Sequence, residues 1–180
     1  MENSIRYKVI ALTLLIIINI NLVFSQASLN ELKAAYISKF TQFVEWPFEK
    51  KADTTRKIFY IGYFVKDEFV TTMNEYFSQV KIKEKPVKFI LIDSKDRLDM
   101  CDLIYLHPIS IKRRNEILEE IVDEPILTIS HYKKAMNEGV HINFFIENNH
   151  LRFEINPAAV KQSGLEMSYL LMKMAKIVGS

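Results

Sequence analysis

The sequence predicts an α/β fold: a three-layer sandwich with a mostly parallel sheet, flanking helices and an antiparallel C-terminal hairpin. Beyond residue 57, short β-rich apolar runs alternate with segments whose apolar residues recur every three or four positions. Such alternation is typical of βαβ units. Near the C-terminus, two β-rich runs are separated by a short polar link, which indicates a hairpin.

Residues 1–27 have the features of a secretory signal peptide. Arg6 and Lys8 precede a short apolar run, and small residues follow it. A basic start, an apolar run of this kind and small residues just before the cleavage site form the pattern that signal peptides share. Cleavage after Ala27 and cleavage after Ser25 both fit this pattern.

The alternative for this segment is a retained membrane anchor. Its apolar stretch covers 16 residues, 9–24, and contains two asparagines, whereas a bilayer-spanning helix needs about 20 mostly apolar residues. We therefore expect cleavage, no stable membrane insertion of the mature protein, and one domain over residues 28–180 that folds outside the cytoplasm.

Composition bears on the possible partners. The net charge is +2, and it falls to +1 without the first segment, which carries Arg6, Lys8 and Glu2. Because so small a charge provides no basic field, we expect no nucleic-acid partner. Cys101 is the only cysteine, so no intramolecular disulfide can form, and its apolar neighbours favour a buried thiol.

The first predicted element is a helix over Leu29–Glu45. Its apolar residues recur every three or four positions, which is the period of one helix face. Ser28 or Asn30 is placed to cap its start. Pro47 ends it, because the residue before a proline is disfavoured in the α region.

The next segments predict βαβ units. The run Ile58–Val65 is almost continuously apolar, as expected of a strand covered on both faces. Asp67 then caps a helix over Glu68–Gln79. The inward residues of this helix are predicted to be Phe69, Val70, Met73 and Phe77. Further strands are predicted over Val87–Ile92, Leu103–Leu106 and Ile126–Ile129, and further helices over Lys112–Val122 and Tyr132–Met136.

The C-terminal part predicts a hairpin followed by two helices. The strands Val140–Ile146 and Leu151–Ile155 are joined by four polar residues, and this hairpin is expected to form an antiparallel edge of the sheet. Pro157 begins a helix that ends at Gly164. The last predicted helix, Glu166–Ile177, has four apolar residues that are expected to face inward: Leu170, Leu171, Met174 and Ile177.

The sequence lacks the motifs of familiar catalytic sites. No nucleophile elbow and no glycine-rich phosphate loop occurs, and the four histidines form no closely spaced pair. A metal site would have to combine histidines that are distant in the sequence. We expect no enzymatic activity, no cofactor and no metal.

Two groups of residues are candidates for a binding surface. Aromatic residues on the first helix form a stripe that either packs in the core or anchors a partner, since aromatic residues concentrate at interface hot spots. In the hairpin, Glu154 lies between bulky apolar residues and faces either solvent or a partner. The candidate partner-binding residues are Tyr36, Phe40, Phe43, Trp46, Phe153, Glu154 and Asn156.

Six short motifs follow one another along the chain. They are Lys33-Ala34-Ala35-Tyr36-Ile37 with Phe43-Val44-Glu45-Trp46-Pro47, then Phe59-Tyr60-Ile61-Gly62, Cys101-Asp102-Leu103-Ile104-Tyr105, Ile126-Leu127-Thr128-Ile129-Ser130, Gly139-Val140-His141-Ile142-Asn143 with Arg152-Phe153-Glu154-Ile155-Asn156, and Ser163-Gly164-Leu165. In this order the motifs resemble those of the YfiR-like (DUF4154) family of periplasmic proteins. Each motif alone is loose, whereas six in order are specific.

The resemblance implies a function that composition does not show. It implies a periplasmic regulator without enzymatic activity. Such a regulator binds the periplasmic sensor region of an inner-membrane signalling protein, a diguanylate cyclase, and holds it inactive, which restrains cyclic di-GMP production and biofilm formation. It also implies a homodimer. Disulfides link redox state to this control in some members, but the single Cys101 excludes an intramolecular switch here.

The alternative function is a periplasmic small-ligand sensor or a transport-associated binding domain. Parallel α/β sheets bind ligands beyond the carboxyl ends of their strands. In this chain those ends lead into Lys66-Asp67, Asp93-Ser94, His107-Pro108 and Ser130-His131.

Overall fold

A computed structural model describes residues 29–47 and 57–179 of the chain. The predicted signal peptide, residues 1–27, lies outside these ranges and stays a prediction. The elements are α1 (residues 29–42), β1 (Val44–Glu45), β2 (Phe59–Tyr63), α2 (Glu68–Gln79), β3 (Val87–Leu91), α3 (Lys95–Asp99), β4 (Leu103–Tyr105), α4 (Ile111–Glu120), β5 (Leu127–Ser130), a 3₁₀ helix (Ala135–Glu138), β6 (Ile142–Glu147), β7 (His150–Ile155), α5 (Pro157–Gln162), β8 (Glu166–Met167), α6 (Tyr169–Met174) and β9 (Lys176–Ile177).

The main sheet within these ranges has seven strands in the order β3-β2-β4-β5-β6-β7-β9. The strands from β3 to β6 are parallel, β7 runs antiparallel to β6, and β9 runs parallel to β7. Helices cover both faces. The predicted α/β sandwich with a mostly parallel sheet and an antiparallel hairpin is therefore confirmed.

Each face of the sheet carries its own hydrophobic core. On β4, Leu103 and Tyr105 belong to the core under α1 and α2, whereas Ile104 belongs to the core under α3, α4 and the 3₁₀ helix. This alternation follows from the two-residue period of a strand. Because both faces are buried, the central strands contain almost continuous apolar residues, as the sequence predicted.

Local signals predicted α2 correctly. Its bounds are Glu68–Gln79, and the Asp67 carboxylate accepts a hydrogen bond of 2.7 Å from the Val70 amide. The four residues that were predicted to face inward are all buried. A side-chain cap and an apolar stripe are contained in the sequence itself, so this helix needs no distant partner to be recognised.

The predicted end of the first helix at Glu45 is wrong. The helix ends at residue 42, and Val44–Glu45 forms a strand that pairs with Glu166–Met167. The Ser168 amide also donates a hydrogen bond of 2.8 Å to the Phe43 carbonyl. A strand partner more than a hundred positions away competes with the helix, and the local pattern does not contain that partner.

The predicted last helix, Glu166–Ile177, is also wrong. The segment forms β8, the short helix α6 and β9, and only Leu171 is buried among the four residues that were expected to face inward; Leu170, Met174 and Ile177 are exposed. Since β9 pairs with β7, the edge strand is β9 and the hairpin lies one strand inside the edge.

Three short segments of the structure also differ from the predicted elements. The hairpin is joined by a two-residue turn, Asn148 and Asn149, because the flanking Glu147 and His150 pair with each other. The predicted helix over Tyr132–Met136 is instead a 3₁₀ turn shifted towards Glu138, and the helix α3 after β3 was not predicted. Short turns of helix carry too few periodic residues to be recognised.

Candidate functional site

An apolar cleft of about 690 Å³ lies between α1, β7 and α6. It forms because Leu32, Ala35 and Tyr36 of α1 are only partly covered, while α6 leaves most of its apolar residues outside the core. The lining includes Leu32, Ala35, Tyr36, Phe40 and Phe43 from α1, Leu151 and Phe153 from β7, and Leu171 and Met174 from α6.

Aromatic rings form the floor of this cleft. The ring centroid of Phe40 lies 4.7 Å from that of Phe153 and 5.6 Å from that of Phe144, and the Tyr36 ring lies 6.0 Å from the Phe153 ring. These separations are in the range of favourable aromatic pairs. Phe40, Phe144 and Phe153 are buried, whereas Tyr36 is half-buried. The floor is therefore well packed, and Tyr36 remains partly exposed, so a partner can contact it.

The edge of the cleft is apolar and positively charged. Leu32 and Met174 are exposed. Among the described residues that line the cleft, the charged ones are Lys39 and Arg152, and both are exposed. An exposed apolar patch rimmed by charge is typical of a protein interaction site, and the sign of the charge favours a partner with acidic residues beside its apolar ones.

Four of the seven candidate partner-binding residues meet in this cleft. Tyr36, Phe40 and Phe43 come from α1, and Phe153 comes from β7. The two groups that the sequence offered separately thus form one surface. Their role in partner binding stays a prediction.

Trp46 lies elsewhere and is fully buried. It is 0% exposed, its ring packs edge-on against Phe59 at 5.4 Å between centroids, and its Nε1 donates a hydrogen bond of 3.2 Å to the Asp102 carbonyl. The Asp102 carboxylate in turn accepts a hydrogen bond of 2.8 Å from the Tyr60 amide. These contacts hold β1, β2 and the start of β4 together, so Trp46 stabilises the fold and has no exposed surface for a partner.

Glu154 points to the opposite face of the hairpin from Phe153. The side-chain amide nitrogen of Asn143 donates to the Glu154 carboxylate at 3.0 Å, and the Ser130 hydroxyl donates to the side-chain oxygen of Asn143 at 2.7 Å. The Lys176 ammonium lies 3.8 Å from the other oxygen of Glu154. A row of polar side chains therefore crosses β5, β6, β7 and β9 and joins these strands.

Asn156 is a capping residue. Its side-chain oxygen accepts a hydrogen bond of 3.1 Å from the Ala159 amide at the start of α5, and its side-chain nitrogen donates one of 3.2 Å to the Met136 carbonyl. Such a cap typically contributes about 1 kcal/mol. Asn156 is buried, and its contacts are those of a residue that fixes the backbone.

Cys101 is buried, as the sequence predicted. A β-carbon placed on Gly62 would lie only 2.6 Å from the Cys101 sulfur, which shows how closely the thiol packs on β2. Burial, with smaller contributions from Asp102 and Asp99, raises the pKa of the thiol to about 12. The thiol is therefore protonated and enclosed at neutral pH, and this state disfavours oxidation.

A second polar cluster lies at the carboxyl ends of the strands. The rings of His107 and His131 have centroids 3.9 Å apart, and the Tyr105 hydroxyl lies 2.6 Å from Nδ1 of His131. Asp67 is close enough to influence the pKa of His107. The structure thus brings together residues from three of the strand ends that the alternative function pointed to.

Lys33 from α1 belongs to this cluster, and sequence reasoning missed it. Its Nζ lies 5.2 Å from the centroid of the Phe69 ring. Burial lowers its pKa, and the nearby Asp67 opposes that shift. The available signal was its spacing: Lys33 precedes Ile37 by four positions and Phe40 by seven, which places a lysine on the buried stripe of a helix.

Burial lowers the pKa of His107, His131 and His141 and so favours their neutral form. Burial, followed by the charges of Lys33 and His107, lowers the pKa of His131 to about 3. His141 accepts a hydrogen bond of 3.0 Å at Nδ1 from the Thr128 amide, and burial lowers its pKa to about 4. In residues 29–47 and 57–179, no three His, Cys, Asp or Glu side chains are grouped to hold a metal ion.

The chain belongs to the YfiR/HmsC-like (DUF4154) family, whose model matches residues 30–176. This family suggests a periplasmic regulator of cyclic di-GMP signalling, which is a regulatory rather than a catalytic role. A search of curated proteins gives no match. No helix in the described part of the chain has the length and apolar character needed to cross a membrane.

Proposed function

We propose that this protein is a non-enzymatic periplasmic regulator that binds the periplasmic sensor region of an inner-membrane diguanylate cyclase and restrains it. The cleft between α1, β7 and α6 is the observation that supports this proposal most. It exposes apolar side chains that a folded domain normally buries, and it joins four of the residues that the sequence offered as partner contacts.

The cleft suits an apolar segment with acidic residues at its ends. Apolar side chains of the partner would pack against Tyr36 and Phe43, while its carboxylates would pair with Lys39 and Arg152. Aromatic contacts provide most of the affinity in such interfaces, and rim charges mainly provide orientation and association rate. Binding restrains the cyclase only if the cleft binds the inactive conformation of the sensor region more tightly than the active one.

Met174→Asp tests the proposal with a substitution that leaves the core intact. Met174 lines the cleft and is 63% exposed, so the change should alter stability by no more than about 0.5 kcal/mol. A carboxylate at the apolar rim should weaken capture of the cyclase about tenfold or more. The measurement is quantitative recovery of the cyclase from detergent-solubilised membranes on tagged mature protein.

Ile111→Asp is the matched control. Ile111 is also 63% exposed, but it lies on α4 at the other face of the sheet, and we expect normal capture. Equal loss in both variants, or none in either, would place the partner contact outside the cleft. Loss of self-association in Met174→Asp with normal capture of the cyclase would show that the cleft joins two copies of this chain. The expected homodimer stays a prediction.

A further inference from the structure

Lys33 is buried, and the Phe69 ring and the Asp67 carboxylate favour the charged form of its side chain. The side chain is 7% exposed. Within residues 29–47 and 57–179, no hydrogen bond or ion pair joins its ammonium to another residue. A buried charge without a hydrogen-bonded partner is costly, so a hydrogen-bonding ligand from outside the chain would stabilise the ammonium of Lys33.

Asp67 does not fill that role. Its carboxylate accepts the 2.7 Å hydrogen bond from the Val70 amide and so caps α2. It lies close enough to oppose the effect of burial on Lys33, but the two form no ion pair in the described structure. The same cap occupies the Val70 amide at the N-terminus of α2, so that amide is not free to bind an anion.

The two histidines place further donors beside Lys33. Tyr105 is fully buried, burial raises the pKa of its hydroxyl, and this protonated hydroxyl shares a hydrogen bond of 2.6 Å with Nδ1 of His131. In the tautomer in which the hydroxyl donates to Nδ1, neutral His131 carries its proton on Nε2 and can donate it to a ligand. His107 and His131 are half-buried, so both rings reach solvent.

We propose that Lys33, His107 and His131 bind the carboxylate group of a small organic acid at the carboxyl edge of the sheet. The site offers one ammonium, donors on two neutral rings and apolar walls from Phe69 and Tyr105. A single ammonium near the Asp67 carboxylate suits a monoanion. A phosphate dianion is usually bound by arginine clusters or free helix N-termini.

The site shares α1 with the cleft. Lys33 lies one turn before Tyr36 and two turns before Phe40. A ligand that fixes the start of α1 therefore also favours one arrangement of the α1 residues that line the cleft. An acid bound here would thus change the affinity for the partner, and the partner would change the affinity for the acid equally. This link rests on the proposed function, whereas acid binding itself does not.

The test uses mature protein alone and follows the imidazole resonances of His107 and His131 by NMR during titration with acetate. Acetamide has the same shape without the charge, and inorganic phosphate is the competing anion. We expect saturable shifts with acetate and none with acetamide. Lys33→Met should weaken acetate binding about ten- to a hundredfold, because it removes a charge-assisted hydrogen bond.

Lys88→Met is the control, since Lys88 is exposed on the edge strand β3 and belongs to neither proposed site; this variant should bind acetate normally. Lys33→Met should fold, because methionine fills a similar volume without a buried charge, and His107→Gln provides a second variant with weakened binding. Absence of acetate shifts, equal shifts in Lys33→Met, or saturation with phosphate but not acetate would overturn the proposal. These outcomes do not depend on whether the protein captures the cyclase. Failure of the acid-binding proposal can therefore be distinguished from failure of the proposed function.

Discussion

At the scale of single residues, a change of backbone period explains where the aromatic side chains lie. Residues 29–42 are helical, and Phe40 faces the core with Ile37. From Val44 onward the backbone is extended, so Val44 and Trp46 are buried while Glu45 between them is exposed. Trp46 is therefore in the core although it does not continue the helical stripe.

Trp46→Ala should lower the free energy of unfolding by about 3–5 kcal/mol. The substitution removes a fully buried side chain and leaves a cavity beside Phe59. Urea denaturation of the mature protein measures the change. Tyr169→Ala is the control, because Tyr169 is exposed on α6 and should change stability by no more than about 0.5 kcal/mol. A loss at Trp46 as small as the control would contradict its structural role.

Residue types alone could not separate the roles of the seven candidate residues. Phe40, Phe43 and Trp46 are all aromatic and closely spaced, and the difference between cleft and core depends on β1, whose partner is distant in sequence. Glu154 and Asn156 are polar in an apolar strand for structural reasons, since both complete hydrogen-bond networks. Lys33 could have been found from its place on an apolar stripe.

At the scale of elements, the predictions succeeded where the signals are local. The helix α2 contains its own cap and stripe, and the central strands contain long apolar runs. The segments that were predicted wrongly, residues 43–45 and 166–177, both contain two-residue strands that exist only through pairing with distant strands. Helical periodicity over 166–177 was real but could not outweigh those backbone hydrogen bonds.

The hairpin turn provides a prediction at this scale. Asn148 and Asn149 have φ angles of 50° and 60°, and a turn with two positive φ values fits the twist of a hairpin. Asn149→Val should destabilise the protein by about 1–2 kcal/mol, because a β-branched residue is strained in that region. Thermal unfolding measures it, with Asn137→Val, at an exposed position of the 3₁₀ helix with negative φ, as the control. Equal effects would argue against the two-residue turn.

At the scale of the whole molecule, stability should depend on pH through its buried histidines. The folded pKa of His141 is about 4, below its ordinary value of 6.5. The unfolded chain therefore binds more protons than the folded chain between these pH values. The stability that neutral His141 contributes is fully present above about pH 6.5 and is lost as the pH falls towards 4. His131, with a pKa lowered to about 3, acts in the same direction.

We expect the contribution of His141 to the free energy of unfolding to fall by about 2 kcal/mol between about pH 7.5 and about pH 5. The measurement is the free energy of unfolding in urea across that range. His141→Asn is the control, because its amide oxygen can still accept the hydrogen bond from Thr128 but does not titrate. A wild-type protein whose free energy of unfolding does not change over this range would contradict the lowered pKa of His141. So would a His141→Asn variant whose free energy of unfolding falls as steeply with pH as that of the wild type.

The central claim is that the cleft between α1, β7 and α6 holds the sensor region of a diguanylate cyclase. The most direct measurement places a photoreactive amino acid at position 174, in the cleft, or at position 111, on the opposite layer, and identifies the crosslinked proteins in intact cells by mass spectrometry. The account predicts crosslinks from position 174, but not from position 111, to the periplasmic region of an inner-membrane diguanylate cyclase. Crosslinks to the cyclase from position 111 alone, or crosslinks from position 174 only to other proteins, would contradict it.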